Sequence, residues 1–146
     1  MTEEMRQRLQ QIYTEQKMAE SNVHLIQQRL DLVSVYLSNY RSGLEVLQEL
    51  EGRKKGEEML MNVGGSIFVR ANLADPTIVT RGIGSGVRIE QNVNDAKKAL
   101  ESSIESLEKQ YQDLSAEYEK LLTHVSQLNA EFQDLAAKIQ GQGQGE

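Results

Sequence analysis

Cysteine is absent from this 146-residue sequence. That absence removes disulfide frameworks, thiol nucleophiles and thiolate metal sites together. Tryptophan is absent too, and aromatic residues make up only 5% of the chain. Large aromatics dominate most compact cores, so an ordinary globular core is not expected. No apolar run approaches the ~18 residues that a membrane helix needs. The start, Met1-Thr2-Glu3-Glu4, is acidic and lacks the apolar stretch of a signal peptide. Cationic excess is also missing: the net charge is −6 and the sequence pI is about 5.0. An acidic chain is a poor general binder of nucleic acid or of anionic membranes. Together these features point to a soluble cytoplasmic protein with neither as a partner.

What is present is long-range order. Proline occurs once, at Pro76, and glycine clusters in the middle of the chain. Residues 1–51 hold only Gly43, and residues 87–140 hold no glycine or proline. The flanks are therefore free to form uninterrupted helices. In the first, a 4,3 spacing runs from Met5 through Leu9, Ile12, Gln16 and Ala19 to Leu47 and Glu51, with twelve of fourteen positions apolar. In the second it runs from Val93 through Lys97, Leu100 and Ile104 to Leu135 and Ile139, with thirteen of fourteen apolar. A 3.5-residue repeat held this long is the pattern of a coiled coil. Thr2 suits the first N-cap, and Asn92 or Asn94 the second. Two long helices joined by one insert are expected to fold back antiparallel. The expected organisation is one domain over 1–146: helix over 1–52, two β-hairpins over 57–90, helix over 92–140 and a flexible tail over 141–146.

The insert changes period from 3.5 to 2. Ile67, Val69, Ala71 and Leu73 alternate on one face of a strand-like run. Further runs lie at 60–63, 77–83 and 87–90, with Gly64-Gly65 and Gly84-Ser85-Gly86 placed to turn. Two short hairpins make no stable sheet alone, and their open edges invite pairing with other chains. The apolar insert residues Ile67, Phe68, Val69, Ala71, Leu73, Ile78, Val79, Ile83, Val87 and Ile89 are thus candidates for oligomerisation into a β-barrel.

No catalytic constellation stands out. Gly82-Ile83-Gly84-Ser85-Gly86 lacks phosphate-loop spacing and leads into a strand. His24 and His124 have no ligand partners at metal-binding spacing. The numerous carboxylates lie on solvated helix faces with no desolvated pocket to tune them. Neither catalysis, a cofactor nor a metal is expected.

The insert resembles the prefoldin family. The stretches that carry this are Met59-Leu60-Met61-Asn62-Val63-Gly64-Gly65-Ser66-Ile67-Phe68-Val69-Arg70-Ala71, Ile83-Gly84-Ser85-Gly86-Val87-Arg88-Ile89-Glu90 and Asn94-Asp95-Ala96. Two hairpins rather than one resemble the α class, and Asn62 stands where that class usually has proline. The resemblance implies a mostly α chain, a long antiparallel two-helix coiled coil with two β-hairpins. It implies an ATP-independent chaperone: two α and four β subunits in a heterohexamer that holds unfolded clients and delivers them to a group II chaperonin in an archaeal cytoplasm. Client contact is expected at the distal helix ends, at Met1, Met5, Leu9, Ile12, Leu128, Phe132, Leu135 and Ile139. A second reading is a γ-like prefoldin that forms filaments as a scaffold.

Overall fold

The computed structural model describes residues 2–143. Two long helices flank four short strands, in the order α1 (Glu3–Leu50), β1 (Glu58–Gly64), β2 (Ile67–Asn72), β3 (Ile78–Gly84), β4 (Val87–Asn92) and α2 (Val93–Gly143). The ends of the helices follow from local chemistry. The Thr2 hydroxyl accepts the Met5 amide at 3.2 Å, satisfying a donor that the first helical turn leaves unpaired. At α2, Asn92 Oδ1 accepts the Asp95 amide at 2.8 Å, and the Asn92 side-chain amide donates to the Asp95 carboxylate at 2.9 Å. Asn92 is thereby the N-cap of α2, and the Asp95 carboxylate holds its side chain in place. α1 closes through a tightened last turn, in which the Gly52 amide donates to the Glu49 carbonyl and the Arg53 amide to the Leu50 carbonyl. The second helix runs past its expected end at 140. Glycine in a helix costs only about 1 kcal/mol relative to alanine, so Gly141 alone does not stop it. Residues 144–146 of the expected tail lie outside the described residues.

The chain divides into two compact units, Met1–Ser34 with Lys109–Glu146, and Val35–Glu108. In the first unit Ile12, Ala19 and Leu128 form a buried cluster, with Val125, Phe132 and Leu135 packed on it. Arg8 reaches across to Glu131 at 2.6 Å, and Gln16 hydrogen-bonds Asn129. In the second unit Arg41 pairs with Glu108 at 2.9 Å, and Lys97 with Glu51. Arg8 and Glu131 each stand one residue before a seam position of the half-buried set, and Arg41 and Glu108 each stand one residue after a seam position of the other set. Like positions facing like positions is the flanking pattern of an antiparallel helix pair. The antiparallel coiled-coil arrangement expected from the sequence is therefore present within each unit.

The seam is not symmetric in depth. In α1 the set Ile12, Ala19, Ile26, Val33 and Leu47 is buried, while Leu9, Gln16, Val23, Leu30 and Leu44 are half-buried; the exceptions are Met5, half-buried in the first set, and Leu37, buried in the second. Tyr40 belongs to the deep set by spacing but is exposed. Near the end of α1 burial moves to Leu50, and Glu51 is left exposed to meet Lys97. A 3.6-residue helix drifts against a 3.5-residue repeat, which accounts for that shift.

The strands form two separate antiparallel pairs, β1 with β2 and β3 with β4. The pairs repeat each other at an offset of 20 residues. Glu58 faces Asn72 and Gly64 faces Ile67 in the first; Ile78 faces Asn92 and Gly84 faces Val87 in the second. Each has a register shift before its turn, at Asn62/Gly64 and at Gly82/Gly84. Each turn has two residues at positive φ, Gly65 (58°) with Ser66 (61°), and Ser85 (52°) with Gly86 (76°). Positive φ at both central residues marks the type I′ turn, whose twist suits a hairpin. Asn62 Oδ1 accepts the Gly64 amide at 2.9 Å, bridging the register shift.

The connection between hairpins is tied by Asp75. Its carboxylate accepts the Thr77 hydroxyl at 2.6 Å and the Thr77 amide at 2.8 Å. Those hydrogen bonds hold the Asp75 carboxyl below its usual range. A folded-state pKa below the unfolded one stabilises above the unfolded value and loses that effect as pH falls through the folded one. The stability difference between wild type and Asp75→Ala should be full at neutral pH and shrink below about pH 4. Thermal melts across that range would read it; a difference independent of pH would show that the carboxylate is not what matters.

Candidate functional site

Within the first unit, the side chains expected to contact clients are not equivalent. Ile12 is fully buried and Leu128 nearly so, at 0% and 3% exposure. Met5, Leu9, Phe132, Leu135 and Ile139 are half-buried. Met1 lies outside the described residues. Ile12 and Leu128 are thus core here: contact with a client at these two would require the helices to separate.

The accessible feature is a shallow hollow of about 490 Å³, lined by Leu9, Tyr13 and Phe132 with Glu3 and Arg6 among its polar neighbours. Tyr13 is 54% exposed and lies under the Lys17 ammonium, 5.5 Å from the ring centre. Such a cation–π contact steadies an exposed ring weakly. Tyr13 was not singled out by the heptad pattern, since it sits one residue beyond Ile12. Its signal was only that an aromatic residue is rare in this chain. The Arg8–Glu131 pair joins the residues that precede Leu9 and Phe132 in sequence, and its hydrogen bond and charge raise the Arg8 pKa.

The second unit holds the other candidate surface. Leu73 and Val79 pack against Leu47, Leu50, Val93 and Ala96, together with Leu100. Ala71 and Ile89 are half-buried. These four of the proposed oligomerisation residues are thus partly covered within their own chain. Ile67, Phe68, Val69, Ile78, Ile83 and Val87 are exposed, by 46% to 61%. Leu60, Met61 and Val63 join them at 65%, 51% and 60%. The same two-residue period that marked β2 marks Met61 and Val63 in β1, so these were readable from the sequence. Met61 faces Val69 across the pair, and an apolar face of β1–β2 is left uncovered. Gly84, Ser85 and Gly86 form the end and turn of β3–β4, a strand–turn–strand rather than the strand–loop–helix that cradles phosphate. His24 lies on an exposed helix face beside the Gln28 side-chain amide, 3.2 Å away.

The fold and these surfaces define a class: helical-hairpin proteins that display short, uncovered β-hairpins. A sequence model of the family described as prefoldin, "Prefoldin subunit", matches residues 19–138, and the chain belongs to the prefoldin family. The chain is 26% identical over 138 residues to a prefoldin subunit alpha of Methanococcus aeolicus, covering 94% of each chain. It is 27% identical over 138 residues to that of Methanobrevibacter smithii, again covering 94% of each. Among solved structures it is similar to filamentous PFD from Methanocaldococcus jannaschii, with a TM-score of 0.65 and 19% identity, covering 79% of this chain and 95% of that one. The prefoldin beta subunit from Thermococcus strain KS-1 gives a TM-score of 0.57 at 17% identity, covering 87% and 90%. These two likenesses concern the fold. Membership of the family supports a chaperone role rather than an enzymatic one.

Burial separates the roles of neighbouring residues. Ile12→Ala should cost on the order of 2–4 kcal/mol through lost burial and a cavity. Tyr13→Ala should change stability by less than about 1 kcal/mol. Denaturant melts of the two variants check this; equal losses would place Tyr13 in the core.

Proposed function

We propose that this chain is an α-class subunit of an ATP-independent prefoldin chaperone. It assembles through its hairpins with β-class subunits, two α with four β, into a cytoplasmic hexamer closed by a β-barrel. The hexamer holds unfolded protein at the distal helix ends and passes it to a group II chaperonin. The observation that carries the assembly reading is the uncovered apolar face of β1–β2, on strands whose outer edges have no partner strand among the described residues. Two-stranded sheets are marginal alone, and open apolar edges recruit further strands. The hollow of Leu9, Tyr13 and Phe132 supports client contact. It is shallow and offers three apolar side chains among polar ones, and several such sites in one assembly gain avidity without a specific pocket.

A second reading, a γ-like filament scaffold, is favoured by one observation, the likeness to a filamentous prefoldin structure. Size exclusion with light scattering separates the two. The chain mixed with a β-class subunit from the same source is expected to give one discrete hexamer. Long polydisperse assemblies from the chain alone, unchanged by that subunit, would instead establish the scaffold.

Client contact is tested apart from assembly. The combined variant Phe132→Ser, Leu135→Ser and Ile139→Ser is expected to keep the hexamer and to lose most suppression of the aggregation of reduced α-lactalbumin. Unimpaired suppression by an intact hexamer would remove the distal ends from client binding.

A further inference from the structure

The covered seam is not the only heptad line on α1. Met18, Leu25 and Leu32 recur every seven residues on the outward side and are 63%, 49% and 54% exposed. The remaining residues on and beside that line between them, Ser21, Asn22, Gln28 and Arg29, are exposed and include a single charge. One of these seven positions is charged, and Lys17 and Asp31 border the line. A helix carrying a second 3.5-residue stripe can hold another helix in contact over several turns.

We propose that the outer face of α1 from Met18 to Leu32 is a docking surface for a second copy of this chain, whose own α1 packs on it antiparallel about Leu25. The periodicity favours a copy over an arbitrary unfolded segment, which has no matched seven-residue spacing. Charge selects the direction. In the antiparallel register Leu25 meets its counterpart, Met18 meets Leu32 of the second copy, and Arg29 meets the neutral Ser21. The bordering residues Lys17 and Asp31 are brought towards their opposites. Asp31 has no cation within 4.0 Å among the described residues, and Lys17 is only loosely paired, 3.9 Å from Glu20. In a parallel register Arg29 would face Arg29, Lys17 would face Lys17 and Asp31 would face Asp31, which is unfavourable. A contact related by a two-fold axis needs nothing but the stripe itself. It is independent of the hairpins, so it would join one assembly to another.

Cysteine crosslinking of the full chain tests both the face and its direction. Under mild oxidation Leu25→Cys should give a covalent dimer in higher yield than Gln27→Cys on the opposite side of the helix. The double variant Met18→Cys with Leu32→Cys should crosslink, and neither single variant should. Efficient dimers from Met18→Cys alone would mean a parallel contact and overturn the proposal, as would a Leu25→Cys yield no higher than the control. As an independent reading, Leu25→Glu should weaken concentration-dependent association about tenfold by sedimentation, because burying an unpaired carboxylate is costly, with helix content unchanged by circular dichroism. Unchanged association with reduced protection of α-lactalbumin would assign the face to clients and reject the homotypic contact.

Discussion

Everything else in the chain depends on one constraint: the apolar seam of α1 must be covered by α2. A helix of this length presents an apolar stripe that water disfavours, and burying a large aliphatic side chain contributes about 1.5–3 kcal/mol. Ile12, Ile26, Val33 and Leu47 meet that condition in α1, as Ile104 and Leu128 do in α2. Because the two helices run antiparallel within each unit, ion pairs flanking the seam form where like heptad positions meet. Arg8 with Glu131 and Arg41 with Glu108 occupy those places. Being exposed, they contribute little to stability; their value is in register and direction. The cores are thin, with small groups of buried residues in each unit and no buried polar side chain among the described residues.

The hairpins inherit their position from the end of that seam. Leu73 and Val79 reach the cluster formed by Leu47, Leu50, Val93 and Ala96. The Val93 amide donates to the Thr77 carbonyl at 2.9 Å and the Leu73 amide to the Glu57 carbonyl at 2.9 Å. The bases of both hairpins are thereby fixed where α1 stops and α2 begins. Among the described residues, their outer parts have no such anchor. The repeat at 20 residues, down to the register shift and the two-residue turn, means that one local solution is used twice. Ser66 and Ser85 occupy the left-handed region at a cost that glycine would avoid, and the short turn twist is kept all the same.

Much of this was legible in the sequence because periodicity is a direct consequence of which side is covered. The 4,3 pattern identified both helices, and the change to a period of two identified the strands. Thr2 and Asn92 were readable as caps because their side chains replace missing helical acceptors. Other features were not legible, for physical reasons. A heptad pattern says which residues point to the partner but not how deeply each sits, so Ile12 and Phe132 looked alike. It says nothing of a stripe that has no partner, which left Met18, Leu25 and Leu32 as ordinary surface residues. Gly141 looked like a stop, yet a single glycine costs too little to end a helix of fifty-one residues. Ala71, Leu73, Val79 and Ile89 looked free for assembly until the packing of the hairpin bases partly covered them.

Charge shows how exposed apolar surface is reconciled with a soluble surface. The chain carries −6, yet residues 58–92 hold three arginines, Arg70, Arg81 and Arg88, against three acids, Glu58, Asp75 and Glu90. The insert is therefore neutral, and the net charge lies in the remaining segments. Within the first hairpin the two charges neutralise each other directly, Arg70 lying 3.5 Å from Glu58. The α1 segment from Lys17 to Leu32 is likewise neutral, with Lys17 and Arg29 against Glu20 and Asp31. Copies of an acidic chain repel one another in general, but these surfaces carry little of that repulsion. On the proposed assembly, the distribution of charge, as much as the exposed leucines and valines, fits where contact is permitted.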